Sequence, residues 1–325
     1  MSRTTTPSPP SGAAPDPATG VTLALVCLVI LGVMPVIADS RPADGSALGF
    51  SLFLSVWQVV VTLPLFVGQL RGPDRGIFAA GLKARDRRRL IGVGLLTGSM
   101  FGASTYLYVL GVEKAGPVST AIAIQAYPLF AMLWEALFLK RAKTPLELAL
   151  TAGLMVGLYY LGTGGTWRIS GFSPWFLVAL GVPLLWSVAH VIIKEELGRT
   201  PITPVQVTFF RVTVSTAVLL AVALAVDPGA LFEGLGRWDV QAWALLMGAV
   251  YTVELIVWFH AVRSIDVSLA SSITTPWPAV TMILAVVVLG QTVAVHEMVA
   301  FVIVAASLYG LIGAALRAAR RRTPC

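Results

Sequence analysis

Leu95-Leu96-Thr97-Gly98-Ser99-Met100-Phe101-Gly102-Ala103-Ser104-Thr105-Tyr106-Leu107-Tyr108 returns 150 residues later as Leu245-Leu246-Met247-Gly248-Ala249-Val250-Tyr251-Thr252-Val253-Glu254-Leu255-Ile256-Val257-Trp258. Gly98 falls on Gly248. Phe101, Ser104 and Tyr108 fall on Tyr251, Glu254 and Trp258, an aromatic–polar–aromatic triplet spaced by three and then four, which places each triplet on one face of a helix. The same register holds without a gap from about Leu90 to Leu161. In it Gln125-Ala126-Tyr127-Pro128 meets Thr275-Pro276-Trp277-Pro278, Glu147 meets Glu297 and Tyr159 meets Tyr309. Apolar helices align at Leu and Val by chance, but paired aromatic-Pro steps and matched glycines in one register mark an internal duplication.

The duplicated stretches belong to a chain that the bilayer must dissolve. Of 325 residues 57% are hydrophobic and only 12% charged, with a mean hydropathy of +0.83, against about 25% charged in an ordinary soluble domain. Apolar segments at 21–38, 48–70, 90–112, 117–139, 145–165, 172–194, 203–226, 240–262, 267–289 and 295–316 are bounded by Gly, Pro or charge. Most approach the roughly 20 residues that a helix needs to cross a hydrocarbon core. They predict ten transmembrane helices.

Lys and Arg concentrate in cytoplasmic loops. With both termini cytoplasmic, 18 of the 23 Lys and Arg lie in inner loops, four in outer loops (Arg41, Lys114, Arg168, Arg237), and Arg211 lies inside a span. An odd span count would mix the two sets. Because each half holds five spans, the second half enters the membrane in the opposite sense, giving an all-α integral membrane fold in a 5+5 inverted repeat. The expected division is a disordered tail at 1–20, repeats at 21–166 and 167–317, and a basic tail at 318–325, in the inner (cytoplasmic) membrane. Such repeats meet near the midplane, the usual place for a transport site with alternating access.

The net charge of +7 sits in loops rather than on a soluble face, which argues against a nucleic-acid partner. No phosphate-binding Gly-x-x-x-x-Gly-Lys-Ser/Thr loop occurs, and neither His-Glu-x-x-His nor paired membrane Asp is present, so ATP hydrolysis and intramembrane catalysis have no sequence support. No cofactor or metal is expected. Cys27 and Cys325 are the only cysteines, too unlikely a pair to staple anything, and read as free thiols.

Ala115-Gly116-Pro117-Val118-Ser119-Thr120-Ala121 leading to Tyr127-Pro128-Leu129 and Gly153–Tyr160, with its partner Ser268-Leu269-Ala270-Ser271-Ser272 leading to Trp277-Pro278-Ala279, is similar to the EamA-type repeat of the drug/metabolite transporter superfamily. The resemblance implies ten helices and transport, often export, of amino acids, other small metabolites or drugs; import of a vitamin- or nucleotide-like metabolite is the alternative. Where that repeat commonly carries Gly-Glu at the end of its fourth helix, this chain has Lys140-Arg141 and Gly290-Gln291, so no role of that Glu transfers.

Glu254 is the leading candidate. A carboxylate at membrane depth costs several kcal/mol unless it is paired or faces water. With Tyr251 and Trp258 beside it, and Tyr108 on the equivalent face, it suits a cationic or amphipathic substrate through ring stacking and cation–π contact, or a proton. The plainer alternative is that Glu254 neutralises Arg211. Snorkelling to the cytoplasmic interface is the favoured reading of Arg211. Trp186 and His190 form a second aromatic–polar face. The Pro steps free backbone groups that persist in lipid only against protein or a water-filled cavity, which nominates Gln125, Tyr127, Thr275 and Trp277. His260 and His296 read as interfacial, and Glu135 as an ion-pair partner. Gly94, Gly98 and Gly102, and Gly153 with Gly157, form small-residue ladders for close helix packing, with a homodimer face the minority reading.

Overall fold

The structure is a computed structural model that describes residues 17–72, 75–78, 83–127, 129–130, 133–134, 144–169, 172–265, 270 and 273–322. Eleven α-helices are described: α1 Pro17–Asp39, α2 Ala47–Arg71, α3 Ala84–Ala115, α4 Pro117–Ile124, α5 Pro145–Gly162, α6 Pro174–Arg199, α7 Pro204–Val226, α8 Pro228–Gly236, α9 Trp238–Ser264, α10 Trp277–Leu289 and α11 Val295–Arg322. Seven of them (α1, α2, α3, α6, α7, α9 and α11) are long and apolar enough to cross a membrane, and Leu148–Gly162 and Trp277–Leu289 are shorter apolar helices. The chain is thus a multi-pass helical membrane protein. Glu135, the pair Lys140-Arg141, Pro128 and residues 1–16 lie outside the described residues.

Three boundaries differ from the sequence reading. The first helix starts at Pro17 rather than residue 21, and the last runs to Arg322 through the stretch assigned to a basic tail. Pro at a first helical position needs no partner for its missing N–H, and Arg stems lengthen a helix past the bilayer edge without burying charge. Between α7 and α9, where a loop was expected, Pro228–Gly236 forms α8. Its Leu231 is buried while Phe232 and Leu235 are exposed, so this short helix lies across one end of the bundle.

Local chemistry explains the helix ends. Thr203 and Gln206 form a capping box before α7, with Pro204 just inside it. The buried Gln206 also accepts from the Ile77 N–H and donates to the Arg75 carbonyl, tying the α2–α3 connection to α7. Within spans, Ser51, Thr62, Thr97 and Thr105 hydrogen-bond to carbonyls one turn back. Their hydroxyls therefore need no water inside an apolar bundle.

The helices pack in matched pairs. α3 packs on α6 and α7, and α9, its equivalent in the repeat register, packs on α1 and α2; α2 packs on α7 and α5 on α11. The glycines show why. A side chain at Gly98 would meet Val214 of α7 at 2.5 Å, and one at Gly248 would meet the Leu54 carbonyl of α2 at 2.6 Å. Gly102 lies against the Ser215 backbone, and Gly153 and Gly157 against Ser307, Ile303 and Val304 of α11. Four of the five ladder glycines therefore serve packing inside the bundle. Gly94 has nothing within 4 Å.

The aromatic-Pro steps also match. α4 ends at Ile124 and the chain turns at Gln125-Ala126, while the equivalent Thr275-Pro276 forms a turn from which α10 starts at Trp277. In lipid such breaks are tolerated where protein covers them. Gln125, Thr275 and Trp277 are each 5–7% exposed.

Candidate functional site

The first triplet and the first two members of the second lie in the interior of the bundle. Phe101, Ser104 and Tyr108 of α3 are buried, and so are Tyr251 and Glu254 of α9, with Glu254 only 7% exposed. Tyr108, Tyr251 and Glu254 are electrostatic neighbours. Glu254 faces the interior, where Cys27 of α1 donates its thiol to Glu254 Oε1 at 3.3 Å. On the equivalent position of the other half, Ser104 Oγ accepts from Trp186 Nε1 of α6 at 3.0 Å. Each half thus offers an acceptor at one register position to the helix packed against it.

Arg211 corrects its sequence reading. It does not snorkel: it is 4% exposed, donates through Nη2 to the Tyr251 hydroxyl at 2.7 Å, and its guanidinium lies 3.4 Å from the centroid of Phe101. Nor is it sealed against Glu254, since no carboxylate stands within 4.0 Å of it among the described residues. The two charges are neighbours held apart around Tyr251. One hydrogen bond and two cation–π contacts favour this place over a long reach to the interface, because Phe101 and Tyr251 offer the cation ring faces and an oxygen at its own depth.

Phe101 joins this group to a second. His190 of α6 lies 5.3 Å from the Phe101 ring centroid, 5.9 Å from Tyr127 and 6.3 Å from Trp186. The histidine therefore sits in a box of three rings contributed by α3, α6 and the break after α4. Trp258 is only partly buried and packs with Ala24, Ala261 and Ile265 at the α1–α9 seam. Thr275 and Trp277 sit at the α10 break; the Trp277 carbonyl lies beside Gly32 of α1 and Thr281 donates to the Gly32 carbonyl at 2.9 Å. Of the sequence candidates, Tyr108, Tyr251 and Glu254 form one cluster, Tyr127, Trp186 and His190 a second, and Gln125, Thr275, Trp277 and Trp258 line helix seams around them.

The sequence reading missed Cys27 and undervalued Arg211 and Phe101. Arg211 carried a signal, being the one Lys or Arg inside a predicted span. Cys27 carried none, because its partner lies 227 residues away. His260 is exposed and bonds back to the Ile256 carbonyl at 2.7 Å. Glu297 caps its own helix by accepting from the Ala294 N–H and also accepts from Ser119 Oγ at 2.9 Å.

Two cavities lie at opposite ends of the bundle. One, of about 440 Å³, is bounded by the α1–α2 turn, α8 and the start of α9, with Asp44, Glu113, Asp227, Glu233 and Arg237 on its wall. The other, of about 170 Å³, lies between the opposite ends of α3, α6 and α7, and Arg211 is on its wall. Ionic and polar links cross each end. Arg41 pairs with Glu113, and Arg237 with Asp44 at 2.6 Å, at the first; Arg89 pairs with Glu196 at 2.5 Å, and Thr203 donates to Gln69 at 2.9 Å, at the second. Arg237 holds the exposed Asp44 carboxyl below its ordinary range. No group of three His, Cys, Asp or Glu that could hold a metal occurs among the described residues.

Comparison with known proteins finds a family match in the second part of the chain and a likeness of fold over most of it. Residues 173–313, from the start of α6 through most of α11, match the model of the EamA-like transporter family. Among solved structures 28 chains match. One, described as "Crystal structure of protein", is similar over 91% of this chain and 98% of its own length with a TM-score of 0.61 and 15% identity, a likeness of fold. No curated protein matches the sequence.

Proposed function

We propose that this chain is an EamA-type protein of the drug/metabolite transporter superfamily and a secondary transporter exporting amino acids or related small metabolites across the cytoplasmic membrane. The observation that carries this reading is Glu254: a buried carboxylate on α9, 7% exposed, bonded by the Cys27 thiol of α1 and, among the described residues, by no cation, with Tyr108 and Tyr251 as electrostatic neighbours. A fold does not need such a group, since an apolar residue would pack there without the desolvation penalty. A chamber that must take up a cationic amino group or a proton does.

The ten-helix, five-plus-five inverted arrangement with both termini cytoplasmic fits this role. It is supported by the exchanged helix pairs, the matched breaks at Gln125-Ala126 and Thr275-Pro276, and the loop distribution of Lys and Arg. The small cavity beside Arg211 then faces the cytoplasm and the larger one faces out. Each end is bridged by its own ionic and polar links, and alternating access follows when one set opens while the other stays shut. A single Glu254 carboxylate serves a proton or the substrate's amino group but not both, so competition for it couples export to proton entry.

The test is counterflow and gradient-driven transport of labelled amino acids in vesicles carrying the purified chain. Outward movement driven by an imposed pH gradient, lost in Glu254→Gln while counterflow persists, is the expected result. Gradient-driven transport that survives Glu254→Gln refutes the proton coupling, and accumulation in the inward sense only refutes export.

A further inference from the structure

Arg211 presents a problem of charge that its surroundings leave open. It is 4% exposed at membrane depth. Its Nη2 is satisfied by a neutral hydroxyl, that of Tyr251, and its Nη1 is buried with no hydrogen-bond partner. The two carboxylates that could balance it are otherwise engaged: Glu254 accepts from Cys27, and Glu196, on the wall of the same cavity, is held by Arg89 at 2.5 Å. A buried guanidinium with a free N–H edge and no counter-ion is costly unless something anionic joins it. One turn back on α7, the Thr208 hydroxyl is fully buried and also without a partner, on the same helical face as Arg211. Arg211 stands beside a 170 Å³ cavity that reaches it from the α6–α7 end, whose wall is mostly apolar, with Leu90, Ile193 and Phe210, apart from Arg87, Thr97 and Glu196.

We infer that Arg211 is the carboxylate-recognition residue of this cavity, taking the substrate's carboxylate on its free edge, so that the transported molecule is a small zwitterion of amino-acid type. The stacked Phe101 ring fixes the guanidinium plane, leaving the planar N–H fork presented to a planar carboxylate, the geometry at which Arg is superior to Lys. Arg211 and Glu254 are charged neighbours kept out of contact around Tyr251. A separated cation and anion of this kind match the two ends of a zwitterion, whereas a closed ion pair would match neither. The apolar wall accepts an aliphatic side chain, and the small volume selects against bulky drugs.

This inference rests on the transporter reading for its biological meaning but is tested by binding alone. The full chain in nanodiscs is titrated calorimetrically with L-leucine, 4-methylpentanoate, L-leucinamide and 3-methylbutylamine, four probes that differ only in which charged end they keep. The wild type is expected to prefer the two carboxylates over the two amine-only analogues by at least about tenfold, the scale of a charge-assisted hydrogen bond. Arg211→Gln is expected to erase that preference and Arg211→Lys to keep part of it. Equal binding of all four probes, a carboxylate preference that persists in Arg211→Gln, or no binding of any carboxylate at millimolar concentration overturns the inference. Should Arg211→Gln fail to fold, the wild-type series decides by itself. A carboxylate preference without transport in vesicles removes the transporter reading and leaves the anion site; transport without that preference does the reverse.

Discussion

Replacing Gly248 by alanine sets a methyl group 2.6 Å from the Leu54 carbonyl oxygen and 3.1 Å from Trp57 Cβ. Ordinary carbon–oxygen contact lies near 3.4 Å, so α2 and α9 must separate by several tenths of an ångström along a helix-length interface, and the obstacle is backbone that no rotamer change can move. Overpacking of this kind costs about 1–3 kcal/mol. Helix propensity acts in the opposite sense, favouring alanine by up to about 1 kcal/mol, so a net loss of roughly 1–2 kcal/mol is expected. At Gly94, on the register-equivalent helix but with nothing within 4 Å, only the propensity gain operates. Gly98→Ala meets an obstacle of the same kind, because the nearest atom, Val214 Cβ at 2.5 Å, is fixed to the α7 backbone and the Arg211 carbonyl is 3.3 Å away. Tryptophan-fluorescence melts of the purified variants in one detergent measure the order. The expected ranking of midpoints is Gly94→Ala at or above wild type, with Gly98→Ala and Gly248→Ala both below it by several degrees at about 2–4 °C per kcal/mol. Equal midpoints for Gly248→Ala and Gly94→Ala would show that the α2–α9 seam does not depend on the close approach described here.

Other consequences follow from single contacts. Glu113→Gln removes the carboxylate that pairs with the buried Arg41, whose Nε already lacks a partner, and is expected to destabilise the chain by about 1–3 kcal/mol in denaturant titrations; no change would mean that Arg41 finds water. In a Cys325→Ser background, maleimide labelling of the fully buried Cys27 should be slow at rest and accelerate during substrate exchange, while labelling that is fast and substrate-independent contradicts a closed centre. Asp44 is held below its ordinary range by Arg237. A depressed carboxyl contributes stability above its unfolded pKa of about 3.9, and that contribution disappears as pH falls through the folded value. The midpoint of the wild type should therefore drop more steeply than that of Asp44→Asn below about pH 4, and parallel curves would remove the contact from the account; added salt should shrink the difference because the pair is exposed.

Membrane character, most helix positions and the repeat register are legible in the sequence because they rest on local quantities. The length of an apolar run sets whether a helix can cross lipid, and the spacing of Phe101, Ser104 and Tyr108 against Tyr251, Glu254 and Trp258 sets which side chains share a face. The breaks at Gln125-Ala126 and Thr275-Pro276 were equally local, dictated by Pro and by where backbone groups lose their helical partners. That Glu254 turns inward also followed from the energy of a carboxylate in hydrocarbon, without any contact being known. The partners of these groups were not legible. Cys27 reaches Glu254 across 227 residues of chain, and Arg211 settles on Phe101 and Tyr251 instead of extending to the interface. Those outcomes depend on how far α3 rotates against α7 and α9 against α1 and α2, which is decided by the close approaches at Gly98 and Gly248. A linear sequence specifies the face each helix offers; only the packed bundle specifies which other face it meets, because interhelical depth and rotation are settled jointly by all the seams at once.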